Sequence, residues 1–218
     1  MRDRRFYAIV DLEACASANV GPLEHAGRCI AHGAGWLQLR AKLGSDDDHR
    51  AVARAIAELC ERASVNFVVN DRVELAAAVG APFVHVGQGD ASAEAVAASA
   101  PFLRVGRSTH DPRELERSLI ERPAYVAFGP IFPTKSKRTP APVVGLEGLA
   151  HAHAAARAAG VELVAIGGLA STDLGAVLAR CDAAAFISAL LPENGEDPSR
   201  PLERVRLALE AASRVADR

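Results

Sequence analysis

The sequence predicts a closed (β/α)8 barrel, folded as one domain over residues 1–218. Three observations predict it. Short apolar runs that read as buried strands alternate with helix-like segments, eight of each, along the whole chain. The length, 218 residues of which 50% are hydrophobic, supplies one sizeable core and is ordinary for a barrel of this kind. Polar residues and glycines gather at the C-terminal end of nearly every apolar run, where a barrel of parallel strands carries its functional loops. Alternation of strand and helix argues for a parallel sheet with crossover helices. Eight units favour closure, with an open doubly wound sheet as the alternative topology.

The first strand is Phe6-Tyr7-Ala8-Ile9-Val10, closed by Asp11. A loop of small residues leads to a helix from Pro22 to His32, with proline near its start, where a backbone N–H is not needed. Trp36-Leu37-Gln38-Leu39-Arg40 is the second strand. Asp46 to Ala63 is an amphipathic helix, with Val52, Ile56, Leu59 and Ala63 on one face. Its opening triplet Asp46-Asp47-Asp48 suits the positive end of the helix dipole, which explains it without a metal. Asn66-Phe67-Val68-Val69 ends in Asn70-Asp71 and is followed by a helix from Val73 to Val79. Phe83-Val84-His85-Val86 ends in Gly87-Gln88-Gly89-Asp90, with a helix from Ala91 to Ala98. Leu103-Arg104-Val105-Gly106 ends in Ser108-Thr109-His110, and Asp111-Pro112 opens the next helix. Tyr125-Val126-Ala127-Phe128 breaks into a loop, Gly129 to Lys137, before a helix from Leu146 to Ala159. Leu163-Val164-Ala165-Ile166 ends in Gly167-Gly168, with a helix capped by Ser171 or Thr172. Ala183-Ala184-Ala185-Phe186-Ile187 ends in Ser188, and a last amphipathic helix runs from Pro201 to Val215.

The formal net charge of −2 gives no basic surface of the kind nucleic acid needs, so any anion site must be local. Cys15, Cys29, Cys60 and Cys181 form no CxxC pair, which argues against zinc and for reduced, buried thiols over two disulfides. The basic start Met1-Arg2-Asp3-Arg4-Arg5 precedes an apolar segment that ends at Asp11, too short for a signal-peptide core, and no stretch reaches membrane-spanning length. The expectation is a cytoplasmic protein with no nucleic-acid or membrane partner. A homo-oligomer is compatible with the sequence.

Barrel closure would bring the strand ends around one mouth. Thr134-Lys135-Ser136-Lys137 delivers two hydroxyls and two amines, groups suited to oxyanions, although alone it reads equally as a solvated basic loop. Arg40 and Lys42 stand two apart on an extended segment and so point the same way. Asp71 and Asp90 can each cap the helix that follows; together they are two hard oxygen ligands that suit Mg²⁺ shared with a phosphorylated substrate. Gly167-Gly168 is either a turn or, with Ser188, a phosphate site. His110 is as readily structural as catalytic, and the other histidines show no metal-ligand spacing. The constellation implies two anion sites for small phosphorylated molecules. Arg40, Lys42, Lys137 and a carboxylate-bound Mg²⁺ suit a diphosphate; Thr134, Ser136, Gly168 and Ser188 suit a monophosphate. The chemistry that fits is departure of diphosphate and capture of the electrophile by a second substrate.

Gln38-Leu39-Arg40-Ala41-Lys42, Asn70-Asp71-Arg72-Val73, His85 to Asp90, Ser108-Thr109-His110, Gly129 to Lys137, Gly145-Leu146-Glu147 and Ile166-Gly167-Gly168 stand in this order along nearly the whole chain. The ordered set resembles the motif series of the thiamine phosphate synthase family. The resemblance implies a (β/α)8 fold and a Mg²⁺-dependent transferase that joins an aminopyrimidine methyl diphosphate to a thiazole phosphate. By the same resemblance Gln38, Arg40, Lys42, Asn70 and Lys137 hold the pyrimidine diphosphate, Asp71 and Asp90 bind Mg²⁺, and Ser108 contacts the pyrimidine. Thr134, Ser136, Gly168, Ile187 and Ser188 hold the thiazole phosphate. Arg40, Lys42, Lys137 and Ser108 are the expected catalytic groups. Leu39, Ala41 and Lys135 complete the substrate-binding motifs, Lys135 being the member closest to solvent. Ala41 departs from a frequent Glu, and Ser136 from a frequent Thr. Arg107 before Ser108 resembles the related thiazole tautomerases, isomerases of the same barrel that use a histidine at the position of His110; that is the alternative reading. A non-catalytic phosphate-ligand-binding module is the third, and it has no use for two metal carboxylates.

Overall fold

Eight parallel strands close into a barrel in chain order in the computed structural model, which describes residues 2–134, 141–193 and 195–216. The strands are β1 (Asp3–Asp11), β2 (Ala34–Arg40), β3 (Asn66–Asn70), β4 (Phe83–Val86), β5 (Arg104–Thr109), β6 (Tyr125–Phe128), β7 (Glu162–Ile166) and β8 (Ala183–Phe186). The helices are α1 (Leu12–Ser17), α2 (Pro22–Ala31), α3 (Asp46–Ala63), α4 (Val73–Ala78), α5 (Ala93–Ser99), α6 (Pro112–Ile120), α7 (Gly145–Ala158), α8 (Leu174–Leu178) and α9 (Arg200–Ala216). Closure is explicit in the register: Tyr7 of β1 lies opposite Trp36 of β2 on one side and Ala185 of β8 on the other. That pairing removes the open-sheet alternative. Among the described residues no helix is long and apolar enough to cross a membrane.

The period-2 pattern of the strands sorts their side chains into two layers. Phe6, Ala8, Leu37, Leu39, Phe67, Val69 and their counterparts face outward and form one continuous core with the helices. Tyr7, Ile9, Trp36, Val68, Phe83, Tyr125 and neighbours fill the barrel interior. Trp36 packs edge-on against Phe83 and Tyr125, with ring centroids 4.8 and 5.5 Å apart, and the Arg104 guanidinium lies 4.8 Å over the Phe83 ring. Gly106 makes this interior possible: a Cβ there would sit 2.2 Å from Cζ of Tyr125. The ring occupies the space that any other residue would need.

Local signals explain most helix boundaries. The acidic triplet of α3 is accounted for as expected: Ser45 and Asp48 form a reciprocal capping box, Asp46 pairs with Arg72 at 2.7 Å and Asp47 with Arg50 at 2.7 Å. Two details differ from the sequence expectation. The stretch after Asp11, expected as a loop, contains α1, nucleated because Asp11 Oδ1 accepts from the Ala14 N–H at 2.8 Å. Neither Ser171 nor Thr172 caps α8. They begin a 3-10 turn, and Asp173 closes it by accepting from the Ala170 N–H at 2.8 Å. The four cysteines are buried and free, and burial pushes the Cys60 and Cys181 thiols up to about 12, which leaves them unreactive.

His25 of α2 is 1% exposed, and its Nδ1 has no hydrogen-bond partner. Burial, and then the Arg28 charge, lower its pKa from 6.5 to about 4. The unfolded chain therefore binds this proton at a higher pH than the folded chain. Its contribution is fully present above pH 6.5 and lost as pH falls toward 4, a change of about 3 kcal/mol. We expect His25→Leu to flatten the denaturation midpoint between pH 7 and 4.5, measured by urea titration; an unchanged pH dependence contradicts this assignment.

Candidate active site

The C-terminal strand ends surround a single open cleft of about 1710 Å³. Its floor is the top of the barrel interior, where Tyr7, Gln38, His85 and Ala127 meet the space. Its walls are the loops that follow each strand, a consequence of parallel strands all ending on one face.

One side is built by β2 and β3. Strand alternation turns Gln38 and Arg40 inward, and both line the cleft with Lys42. Arg40 is held by a short ion pair to the buried Asp11, the same residue that caps α1. Lys42 pairs with Asp71, whose backbone adopts a left-handed conformation with φ of 62°. Asp71 does not cap α4: the cap position is Arg72, and no side chain accepts there. Asp90 does not cap α5 either, because Ser92 does; Asp90 Oδ2 accepts from the Gly87 N–H at 2.7 Å and shapes its own turn. Both carboxylates line the cleft, so the capping explanation left open by the sequence falls away. Asn70 also lines the cleft, and its buried Nδ2 has no hydrogen-bond partner. A buried amide donor in that condition favours a ligand acceptor.

The opposite side comes from β5 to β8. Ser108, Thr134, Gly167, Gly168, Ile187 and Ser188 all line the cleft. Gly168 has φ of 70°, and a Cβ there would meet the Pro133 carbonyl oxygen at 2.5 Å, so only glycine lets the two loops touch. The contact is sealed by Ile131 N–H donating to the Ile166 carbonyl and Phe132 N–H to the Gly167 carbonyl, both at 3.0 Å. His110 lies in the wall with Nδ1 2.8 Å from Glu114 Oε2. Lys135, Ser136 and Lys137 lie outside the described residues. Glycine, hydroxyl and backbone groups dominate here, whereas the β2–β3 side carries the described cations.

The sequence model of one family, described as thiamine monophosphate synthase, matches residues 6–190. The chain belongs to the thiamine monophosphate synthase family. The thiamine-phosphate synthase of Koribacter versatilis is 38% identical over 205 residues, covering 91% of this chain and 94% of its own length. That of Laribacter hongkongensis is 37% identical over 192 residues, covering 87% and 89%. A solved structure titled thiamine phosphate pyrophosphorylase from Pyrococcus furiosus superposes with a TM-score of 0.83 at 26% identity, covering 97% of this chain and 98% of that one.

In this family member, two residues of the sequence-derived set do not reach the cleft. Leu39 faces outward into the helix-packed core and Ala41 is buried, and neither lines the mouth. Any contact they make with a ligand is through backbone. Other residues were invisible as site members. Arg72 donates from Nε to the Ala41 carbonyl at 2.8 Å and from Nη2 to the Gly44 carbonyl at 2.8 Å, clamping the loop that carries Lys42. Arg107 is buried behind the wall, donating from Nη1 to the Gly87 and Ala91 carbonyls at 3.0 and 3.2 Å, which holds the turn of Asp90. Tyr7, His85 and Tyr125 interact at the floor. Period-2 alternation marks Tyr7 and Tyr125 as inward-facing, but it carries no sign of which polar partner each would meet.

The donor set fits a Mg²⁺ ion shared with substrate. Asp71 and Asp90 are hard oxygen donors in one cleft, and among the described residues no group of three or more His, Cys, Asp or Glu is placed to hold a metal unaided. Mg²⁺ usually keeps several waters and takes one or two carboxylates plus phosphate oxygens, a donor count that Asp71 and Asp90 match.

Proposed function

We propose that this protein is a thiamine-phosphate synthase. It condenses 4-amino-2-methyl-5-(diphosphooxymethyl)pyrimidine with 4-methyl-5-(2-phosphoethyl)thiazole to give thiamine phosphate and diphosphate, or with its carboxylate to give the same products and CO2. One observation supports this above others: a single cleft gathers Arg40, Lys42 and the unpartnered Asn70 amide on one side, and Gly168 and Ser188 on the other. The cationic side suits a diphosphate and the side of neutral donors suits a monophosphate.

In this reading Arg40, Lys42 and Asn70 bind the diphosphate, and Lys137 joins them from the loop after β6. Bound by Asp71 and Asp90, Mg²⁺ would neutralise diphosphate charge. The carbon–oxygen bond of the pyrimidine methylene breaks with its electron pair leaving on diphosphate. The pyrimidine amino group delocalises the positive charge left on the methylene carbon. Arg40 and Lys42 stabilise the charge that develops on the leaving group, an electrostatic contribution that needs no protein nucleophile. The thiazole nitrogen then donates its pair to the methylene carbon. Thr134, Ser136, Gly168, Ile187 and Ser188 orient the thiazole through its phosphate, so the nitrogen already faces the carbon when the bond opens. The proposal includes a cytoplasmic location, in keeping with four free buried thiols.

The test is to incubate the protein with both substrates and Mg²⁺ and follow thiamine phosphate by chromatography. Product that depends on both substrates is the expected result. No product, with isomerisation of a thiazole carboxylate phosphate lost in His110→Ala, would establish the tautomerase reading, which the Glu114-anchored His110 in the wall otherwise favours.

A further inference from the structure

Five side chains from five strands form one continuous hydrogen-bonded row along the floor of the cleft. Gln38 Nε2 donates to Tyr7 Oη at 2.8 Å. Tyr7 Oη and Tyr125 Oη are 2.7 Å apart. Tyr125 Oη is 3.0 Å from His85 Nδ1, and His85 Nε2 is 2.8 Å from Ser108 Oγ. The row starts on β2, passes through β1, β6 and β4, and ends on β5. Only its two ends, Gln38 and Ser108, are residues already assigned to the substrate. The three interior members belong to no part of the proposed chemistry. They are stiffly held: Tyr7 stacks on Trp36 at 5.7 Å and 14°, and His85 stacks on Tyr125 at 5.6 Å and 18°.

Proton counting gives the row a direction. Each phenol has one proton to donate, and burial pushes both tyrosines well above their usual pKa, so both stay neutral. With Tyr7 Oη accepting from Gln38, the arrangement that keeps every proton within the row sends the Tyr7 proton to Tyr125 Oη. In that arrangement Tyr125 donates to His85 Nδ1. A neutral imidazole that accepts at Nδ1 carries its proton on Nε2, which donates to Ser108 Oγ. Ser108, having accepted, is left with its own O–H to donate into the cleft. At the far end, the Gln38 amide commits an N–H to Tyr7 and Gln38 lines the cleft, so its carbonyl oxygen is the group available to accept.

We propose that Tyr7, Tyr125 and His85 are positioning residues that lock Gln38 as an acceptor and Ser108 as a donor, and that this polarity selects a 4-aminopyrimidine over a 4-oxopyrimidine. The selection rests on the synthase reading above and on the family resemblance, by which Gln38 holds the pyrimidine diphosphate and Ser108 contacts the pyrimidine. An exocyclic amino group donates to the Gln38 carbonyl while a ring nitrogen accepts from Ser108. In the 4-oxo ring the exocyclic group is itself an acceptor and faces another acceptor, leaving both unpaired in a dry site, which is costly. If the row were cut at Tyr125, the Tyr7 proton would be released to point at Gln38. The amide would then be able to turn over and the polarity would be lost.

Tyr125→Phe and Tyr7→Phe keep the rings and their stacking while removing one link each, so both variants should fold. We expect the wild type to bind the 4-oxo analogue of the pyrimidine diphosphate, measured as a competitive inhibitor, at least about tenfold more weakly than the amino substrate. In either variant that ratio should shrink by about tenfold, with KM for the pyrimidine diphosphate raised and KM for the thiazole phosphate unchanged. An unchanged ratio in both variants overturns the proposal. Nitrogen-15 NMR of ligand-free protein checks the direction independently of turnover: His85 should carry its proton on Nε2 in the wild type, and a proton on Nδ1 overturns the proposal. A wild type that makes no thiamine phosphate sinks the synthase reading, while the His85 tautomer still decides the direction of the row.

Discussion

Asp71→Asn lowers kcat/KM by about 10²–10³-fold at fixed Mg²⁺ and leaves the melting temperature within about 2 °C of wild type. The two halves of that expectation have separate causes. Asp71 has φ of 62°, a left-handed conformation that asparagine adopts as readily as aspartate, so the backbone is not strained by the change. Its ion pair with Lys42 is partly exposed, which makes the pair a small contributor to stability. The carboxylate charge, in contrast, has no substitute if Asp71 and Asp90 together hold Mg²⁺, as proposed. Steady-state kinetics over a Mg²⁺ series, beside a thermal melt, check both halves. Full activity removes Asp71 from the metal site; a collapsed melting temperature shows that its role is structural.

Gly106→Ala is expected to destabilise the barrel by about 1–3 kcal/mol, lowering the melting temperature by about 2–12 °C. The added Cβ would lie 2.2 Å from Tyr125 Cζ and 2.5 Å from Tyr125 Oη, a stiff ring wedged against Trp36 and Tyr7. A ring displaced by that clash also leaves its place between Tyr7 and His85, so KM for the pyrimidine diphosphate should rise in the surviving folded enzyme. A melting temperature equal to wild type shows that the interior yields more easily than this packing allows.

The fold was legible because barrel strands are buried on both faces and bounded by glycine and polar residues. Trp36 to Arg40 and Phe83 to Val86 therefore stand out as apolar runs with polar ends. Closure needed the count of eight, and the pairing of Phe6 with Ala184 supplied what counting could not. Cleft-lining residues at strand ends, such as Arg40 and Ser188, were legible by position. Leu39 and Ala41 were carried along by their motif although period-2 alternation turns Leu39 away from the mouth. Asp11, Arg72 and the row along the floor were hidden for a different reason. Each meets a partner 23 to 118 residues distant, His85 and Ser108 being 23 apart and Tyr7 and Tyr125 118 apart in sequence. No local pattern encodes such a meeting. α1 was missed because a six-residue helix rests on one cap, and Asp11 reads first as the end of a strand.

The central claim is that one cleft holds a diphosphate and a monophosphate side by side and joins their carriers. Phosphorus-31 NMR of a single reaction containing the aminopyrimidine diphosphate, the thiazole phosphate, Mg²⁺ and the protein tests it most directly. The account predicts that free diphosphate appears one-for-one with the phosphomonoester signal of thiamine phosphate, and that neither appears when the thiazole phosphate is omitted. Persistence of both starting spectra in the complete reaction contradicts it.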